Sequence, residues 1–143
     1  MFEFHGWVVI EVDDLDDAGS AIVEARKDQA EAALHSALAD ATDHFCVFEI
    51  QHTCNALRYL NVHGLRNHRY QSVIDLFEWI ADHLPACYGL LYVRDDEDMT
   101  RTGEDFSNCF RVWRLARGQL TEHPDSFLSP CIPMIELPEQ SAQ

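Results

Sequence analysis

The sequence predicts an α+β fold. The expected architecture is a two-layer sandwich with elements in the order β-α-β-β-α-β-β: a ferredoxin-like sheet extended by one strand, with the helices on one face. Three observations carry that prediction. The opening run Phe4 to Val12 places Gly6, Val8, Ile10 and Val12 on one face of a period-2 strand, and His5, Trp7, Val9 and Glu11 on the other. Two segments with helical periodicity, around Ala30–Ala41 and Val73–Leu84, are separated by strand-like runs. Those intervening runs come as a pair around the turn residues Thr53-Cys54-Asn55, the pattern of a hairpin.

Taken in order, the β-branched Val8-Val9-Ile10 favours a strand over a helix, and the acidic run Asp13, Asp14, Asp16 and Asp17 ends it. Apolar residues on both faces suit a central position in the sheet. From Ala21 to Ala41 the residues Ala30, Ala33, Leu34, Ala37, Leu38 and Ala41 recur every three or four positions, which predicts a helix capped by Ser20. Phe45–Gln51 is the second strand and Ala56–His63 the third, ending at Gly64. Ser72 and Asp75 stand in a capping-box-like relation before the stripe Val73, Leu76, Phe77, Ile80, Leu84, and Pro85 stops that helix. Cys87–Val93 is the fourth strand, Asp95 to Gly103 an acidic loop, and Cys109–Ala116 the fifth strand.

Handedness rules then put the first strand between the third and fourth, with the fifth beside the fourth. Residues 118–143, with Pro124, Pro130, Pro133 and Pro138, read as an extended tail lying over the domain. The whole of 1–143 reads as one domain, without repeat or linker.

Composition excludes several classes. A 143-residue chain that is 47% hydrophobic can bury a real core and is not of disordered type. No apolar run approaches the ~20 residues needed to cross a bilayer, and the first residues lack the basic and apolar regions of a signal peptide. The five cysteines (Cys46, Cys54, Cys87, Cys109, Cys131) include no Cys-x-x-Cys pair, so a reduced, cytoplasmic protein is expected. Lysine and arginine total 10 against 25 acidic residues, a net charge of −15. Such a surface repels nucleic acid and anionic membranes and attracts basic partners.

No motif for chemistry emerges. His52 with Cys54, and His63 with His68, do not repeat the spacing of a zinc site, so neither metal nor cofactor is expected. Cys46, among Phe45, Val47 and Phe48, reads as a small buried hydrophobe. The runs Asp13-Asp14-Leu15-Asp16-Asp17 and Asp95-Asp96-Glu97-Asp98 lack the Asp-x-Asp-x-Asp-Gly pattern of a calcium loop and would sit at opposite ends of the sheet. Trp7, Tyr92 and Trp113 fall on three neighbouring strands, with Arg58, Arg111 and Glu49 on polar-bearing positions; such aromatic and arginine residues anchor interfaces. The competing reading is that the tail covers these rings.

The opening Phe4-His5-Gly6-Trp7 before a β-branched strand, and the late Val112-Trp113-Arg114-Leu115-Ala116-Arg117-Gly118, resemble the immunity protein 7 family of bacterial polymorphic toxin systems. The similarity runs to about Gly118, and the tail beyond it lies outside the match. The resemblance implies a small, non-catalytic cytoplasmic protein that binds and neutralises a cognate toxin. It supplies no catalytic residues and no toxin-contacting residues. The charge of −15 suits a basic, nuclease-type effector, drawn in by long-range attraction and blocked by occlusion of its active site. The expected partner-binding residues are Trp7, Tyr92 and Trp113, rimmed by Asp13, Asp14, Asp16, Asp17, Asp95, Asp96, Glu97 and Asp98. The alternative is a small acidic ligand-binding or regulatory α/β domain, whose sign would be a deep apolar pocket. An enzyme ranks third.

Overall fold

A computed structural model of the chain describes residues 1–13 and 19–131, apart from the side chains of Thr100 and Arg101. The elements are β1 (Phe2–Val9), α1 (Ser20–Ala41), β2 (Cys46–His52), β3 (Arg58–Arg66), α2 (Gln71–His83), β4 (Tyr88–Asp95), a short α3 (Met99–Thr102), β5 (Arg111–Ala116) and β6 (Gln119–Pro124). The strands form one antiparallel sheet in the order β2-β3-β1-β4-β5-β6. The first strand therefore lies between the third and fourth, as right-handed crossovers require, and the α+β sandwich is as expected.

The faces follow the period-2 reading. Phe2, Phe4, Val8 and Ile10 are buried, together with Leu60 and Val62 of β3 and Leu91 and Val93 of β4. Ala30, Leu34, Leu38 and Ala41 of α1 and Val73, Leu76, Phe77 and Ile80 of α2 close the same core. Alanine on the inner side of α1 keeps that face small where the helix packs beside α2. Arg58 is also on this side, buried, and donates to Asp28 at 2.7 Å, Glu24 at 2.8 Å and Glu31 at 3.1 Å, tying β3 to α1. The Asp28 carboxylate, first among these partners, holds the guanidinium charged more firmly than usual, outweighing the opposite effect of burial.

Several local expectations are corrected. Gly64 does not end the third strand but lies within β3, paired with Phe4 and Cys46, and a Cβ there would come within 2.7 Å of both the Phe4 ring and Cys46 Sγ. The aromatic ring takes the space a side chain would need, and the strand runs on to Arg66. Ser20 is the first residue of α1 rather than its cap, which is Gly19; α2 begins at Gln71, ahead of Ser72, and neither helix has a side-chain cap. Gln71 instead donates to Asp75 at 2.9 Å.

The largest correction concerns the start of the tail. Residues 119–124 form β6, paired with β5, because Arg117 (φ 54°) and Gly118 (φ 69°) both adopt left-handed backbone. Two consecutive residues of that kind make a tight turn matched to strand twist. Asp125 then accepts from the amides of Phe127 and Leu128, and the chain turns back so that Cys131 N–H donates to Asn108 C=O at 2.9 Å. The remainder of the expected tail, 132–143, lies outside the described residues.

Burial also orders the cysteines. Burial pushes the Cys87 thiol up, and burial with the neighbouring Asp43 carboxylate does the same for Cys46, whereas Cys54 is exposed at the β2–β3 turn. Thiolate, not thiol, is the reactive form. Under native conditions a disulfide reagent should modify Cys54 first and Cys87 only on unfolding. Mass spectrometry of partially labelled protein checks this, and early labelling of Cys87 would contradict the packing.

Candidate functional site

With α1 and α2 on one face, the other face of the sheet carries the side chains that could meet a partner. Register fixes its rows. One runs Val47, His63, His5, Tyr92, Val112, His123 across all six strands; the next runs Glu49, Asn61, Trp7, Leu90, Arg114, Thr121. Trp7 is 39% and Tyr88 46% exposed, and their rings meet edge to face at 6.3 Å. Tyr92 is half-buried against Phe110, also edge to face. Gly89 makes this arrangement possible, since a Cβ there would stand 1.9 Å from the Trp7 carbonyl oxygen.

Beside Trp7 the face opens into a surface cleft of about 770 Å³ whose lining includes Trp7, Tyr88, Leu90, Arg114, Arg117 and Asp13. At the other end, Glu3 accepts from Arg94 at 2.9 Å and pairs with His5. Burial raises the affinity of the Glu3 carboxyl for its proton, but the His5 and Arg94 hydrogen bonds outweigh it and leave the group below the usual carboxylate range. What Glu3 contributes to stability is thus present at neutral pH and lost as the solution is acidified through that lowered value.

The expected anchors divide between the two faces. Trp7 and Tyr92 share the open face. Trp113 does not: it stands opposite Leu91, on the helix side, half-buried against the core. Its strand neighbour Arg111 is on the same side, paired with Glu122 and set over the Phe106 ring. Arg58, under α1, likewise leaves the open face, while Glu49 is on it.

The acidic clusters also divide. Asp13 is exposed on the rim of the cleft; Asp14, Asp16 and Asp17 lie outside the described residues. At the opposite end of the sheet, Asp95 and Asp98 are buried rather than solvated. Asp95 takes Arg69 at 3.0 Å and the Glu97 amide at 3.0 Å; exposed Asp96 pairs with the Met1 amine, and Glu97 with His68. This cluster binds the start of β1 to the end of β4. The exposed side of the helix layer carries Asp28 and Asp40 on α1 and Asp75, Glu78 and Asp82 on α2. On the open face the strands bring Glu3 and Glu49 against Arg94 and Arg114, close to balance. Between these two faces, the described negative charge is therefore weighted toward the helices.

Tyr88, Leu90, Arg114 and Arg117 were not singled out from the sequence. Tyr88 and Leu90 carry the same period-2 signal as Tyr92, and the two arginines stand beside Trp113 in the motif that ends at Gly118. Among the described residues no three His, Cys, Asp or Glu side chains converge in a way that could hold a metal ion, and no helix is long and apolar enough to cross a membrane.

The antiparallel sheet thus has one face packed under helices and the other showing aromatic and arginine side chains. The chain matches the family model for immunity protein 7 over residues 1–137. It belongs to that family, whose members are the immunity proteins of toxin systems. The match reaches well past Gly118 and so includes β6 and most of the extended tail expected to lie outside the resemblance. No curated protein and no solved structure matches the chain.

Proposed function

We propose that the chain, acting as one domain, binds a cognate toxin in the cytoplasm and neutralises it by covering its active site or substrate path, leaving the toxin chemically intact. The observation that carries this reading is the exposed Trp7–Tyr88 patch on the open sheet face of a member of an immunity family. Trp7 and Tyr92 are the anchors, Asp13 and the exposed Asp96 and Glu97 the rim. The toxin is a basic effector of nuclease type, selected by the net charge of −15. The carboxylates over the helices supply the long-range field, and the near-neutral sheet face makes the contact.

The test is purification of the tagged chain from cells that also express the neighbouring gene, followed by titration of the co-purified protein's activity. Stoichiometric inhibition, with full activity recovered after separation, supports occlusion. Lasting inactivation at substoichiometric amounts would make this protein an enzyme.

Steering gives a further expected result. Attraction between exposed charges is screened over a Debye length of about 10 Å at 0.1 M salt. The association rate should fall at least about tenfold between 20 and 500 mM salt, with a smaller change in dissociation. An association rate independent of salt, read by stopped flow, would remove the basic-toxin argument.

A further inference from the structure

We propose that the cleft beside Trp7 receives a carboxylate side chain of the cognate toxin between Arg114 and Arg117, an inference that rests on the immunity reading above. The starting point is how the chain uses its few cations. Lys27 pairs with Glu11, Arg58 with three α1 carboxylates, Arg66 with Asp43, Arg69 with Asp95, Arg94 with Glu3 and Arg111 with Glu122. In a chain with 25 acidic residues to 10 basic ones, an arginine without a partner is unexpected. Among the described residues Arg26, Arg114 and Arg117 form no ion pair, and the last two line the same cleft.

Their position explains why they stay free. Arg114 lies on the open face between Leu90 and Thr121, neither of which is charged. Arg117 is held by its left-handed backbone at the β5–β6 turn, on the cleft's border. Asp13 is the cleft's one acidic lining residue among those described, and it makes no ion pair with either.

The guanidinium fork presents donors in a plane that matches a carboxylate bidentately. Trp7, Tyr88 and Leu90 add an apolar wall that displaces water around such a contact. Tryptophan, tyrosine and arginine together are the composition of an interface centre. A basic toxin still carries carboxylates. The field of the whole molecule governs approach, while the arginine pair fixes register and holds the complex.

The experiment compares wild type with the double variant R114E/R117E against the toxin that co-purifies with wild type. Both positions are exposed, and circular dichroism with a thermal melt checks that the fold is kept. The variant has a more negative net charge, so steering alone would speed its association with a basic toxin. We expect the opposite balance: affinity lower by at least 30-fold, carried by faster dissociation, with R114K/R117K intermediate. Single Asp→Lys and Glu→Lys reversals across the toxin should then include one that restores at least tenfold binding to the double variant. Binding within threefold of wild type overturns the proposal, as does a loss that no reversal rescues. A changed oligomeric state by light scattering, with toxin binding intact, would assign the cleft to a second copy of the chain and also overturn it. Failure of the immunity reading looks different: no toxin co-purifies with wild type at all.

Discussion

Phe4→Ala should be the most destabilising single substitution in β1, at about 3–5 kcal/mol, the usual range for removing a buried phenylalanine ring. The ring is fully buried, and Phe2, Phe48 and Tyr70 have their ring centroids 6.0–6.2 Å from it. It also fills the space left by Gly64 on the next strand, so the cavity would open at the joint between β1, β2 and β3. For a chain of this size the loss should lower the melting temperature by roughly 10 °C. His5→Ala, one residue along on the exposed face, should stay within about 0.5 kcal/mol. Denaturant titration of both variants is the check. If His5→Ala were the costlier change, the inner and outer faces of β1 would be reversed.

Trp7→Ala should give the largest loss of toxin binding from a single truncation, at least about 2 kcal/mol or roughly 30-fold, with little effect on stability. Trp7 is 39% exposed on the open face, so its removal leaves no closed cavity. Trp113→Ala should behave oppositely. That ring packs against the core from the helix side and should cost stability, with binding changed only as far as folding is. Calorimetric titration with the toxin alongside thermal melts separates the two. Binding lost from Trp113→Ala and kept in Trp7→Ala, at unchanged stability in both, would mean that the toxin does not dock on the open sheet face.

The contrast between these tryptophans marks how far the sequence could be read. Both sit in period-2 strands beside apolar neighbours, and both belong to the motifs that carry the family resemblance. The period says which residues of one strand share a face, and Phe4, Val8 and Ile10 fall together as expected. It does not say which face of the sheet that is for a strand read alone. For β5 this was settled by pairing: Trp113 stands opposite Leu91 and Arg114 opposite Leu90, which sends the tryptophan inward and the arginine out.

The acidic stretches were similarly half-legible. Asp95 to Asp98 reads as a solvated loop because carboxylates are seldom buried without partners. Here the partners come from far along the chain, Arg69 and the Met1 amine among them, and only the folded sheet brings them together.

By itself the sequence determined the order of elements, the central place of the first strand, the inner stripes of both helices and the family. Each rests on local periodicity or on short motifs read along the chain. Tertiary structure alone decided the face of Trp113, the strand running through Gly64, the sixth strand and the two cleft arginines that pair with none of the described residues. Those depend on register, on volumes taken by distant rings and on which carboxylates reach which cations. Such quantities exist only once the strands are paired.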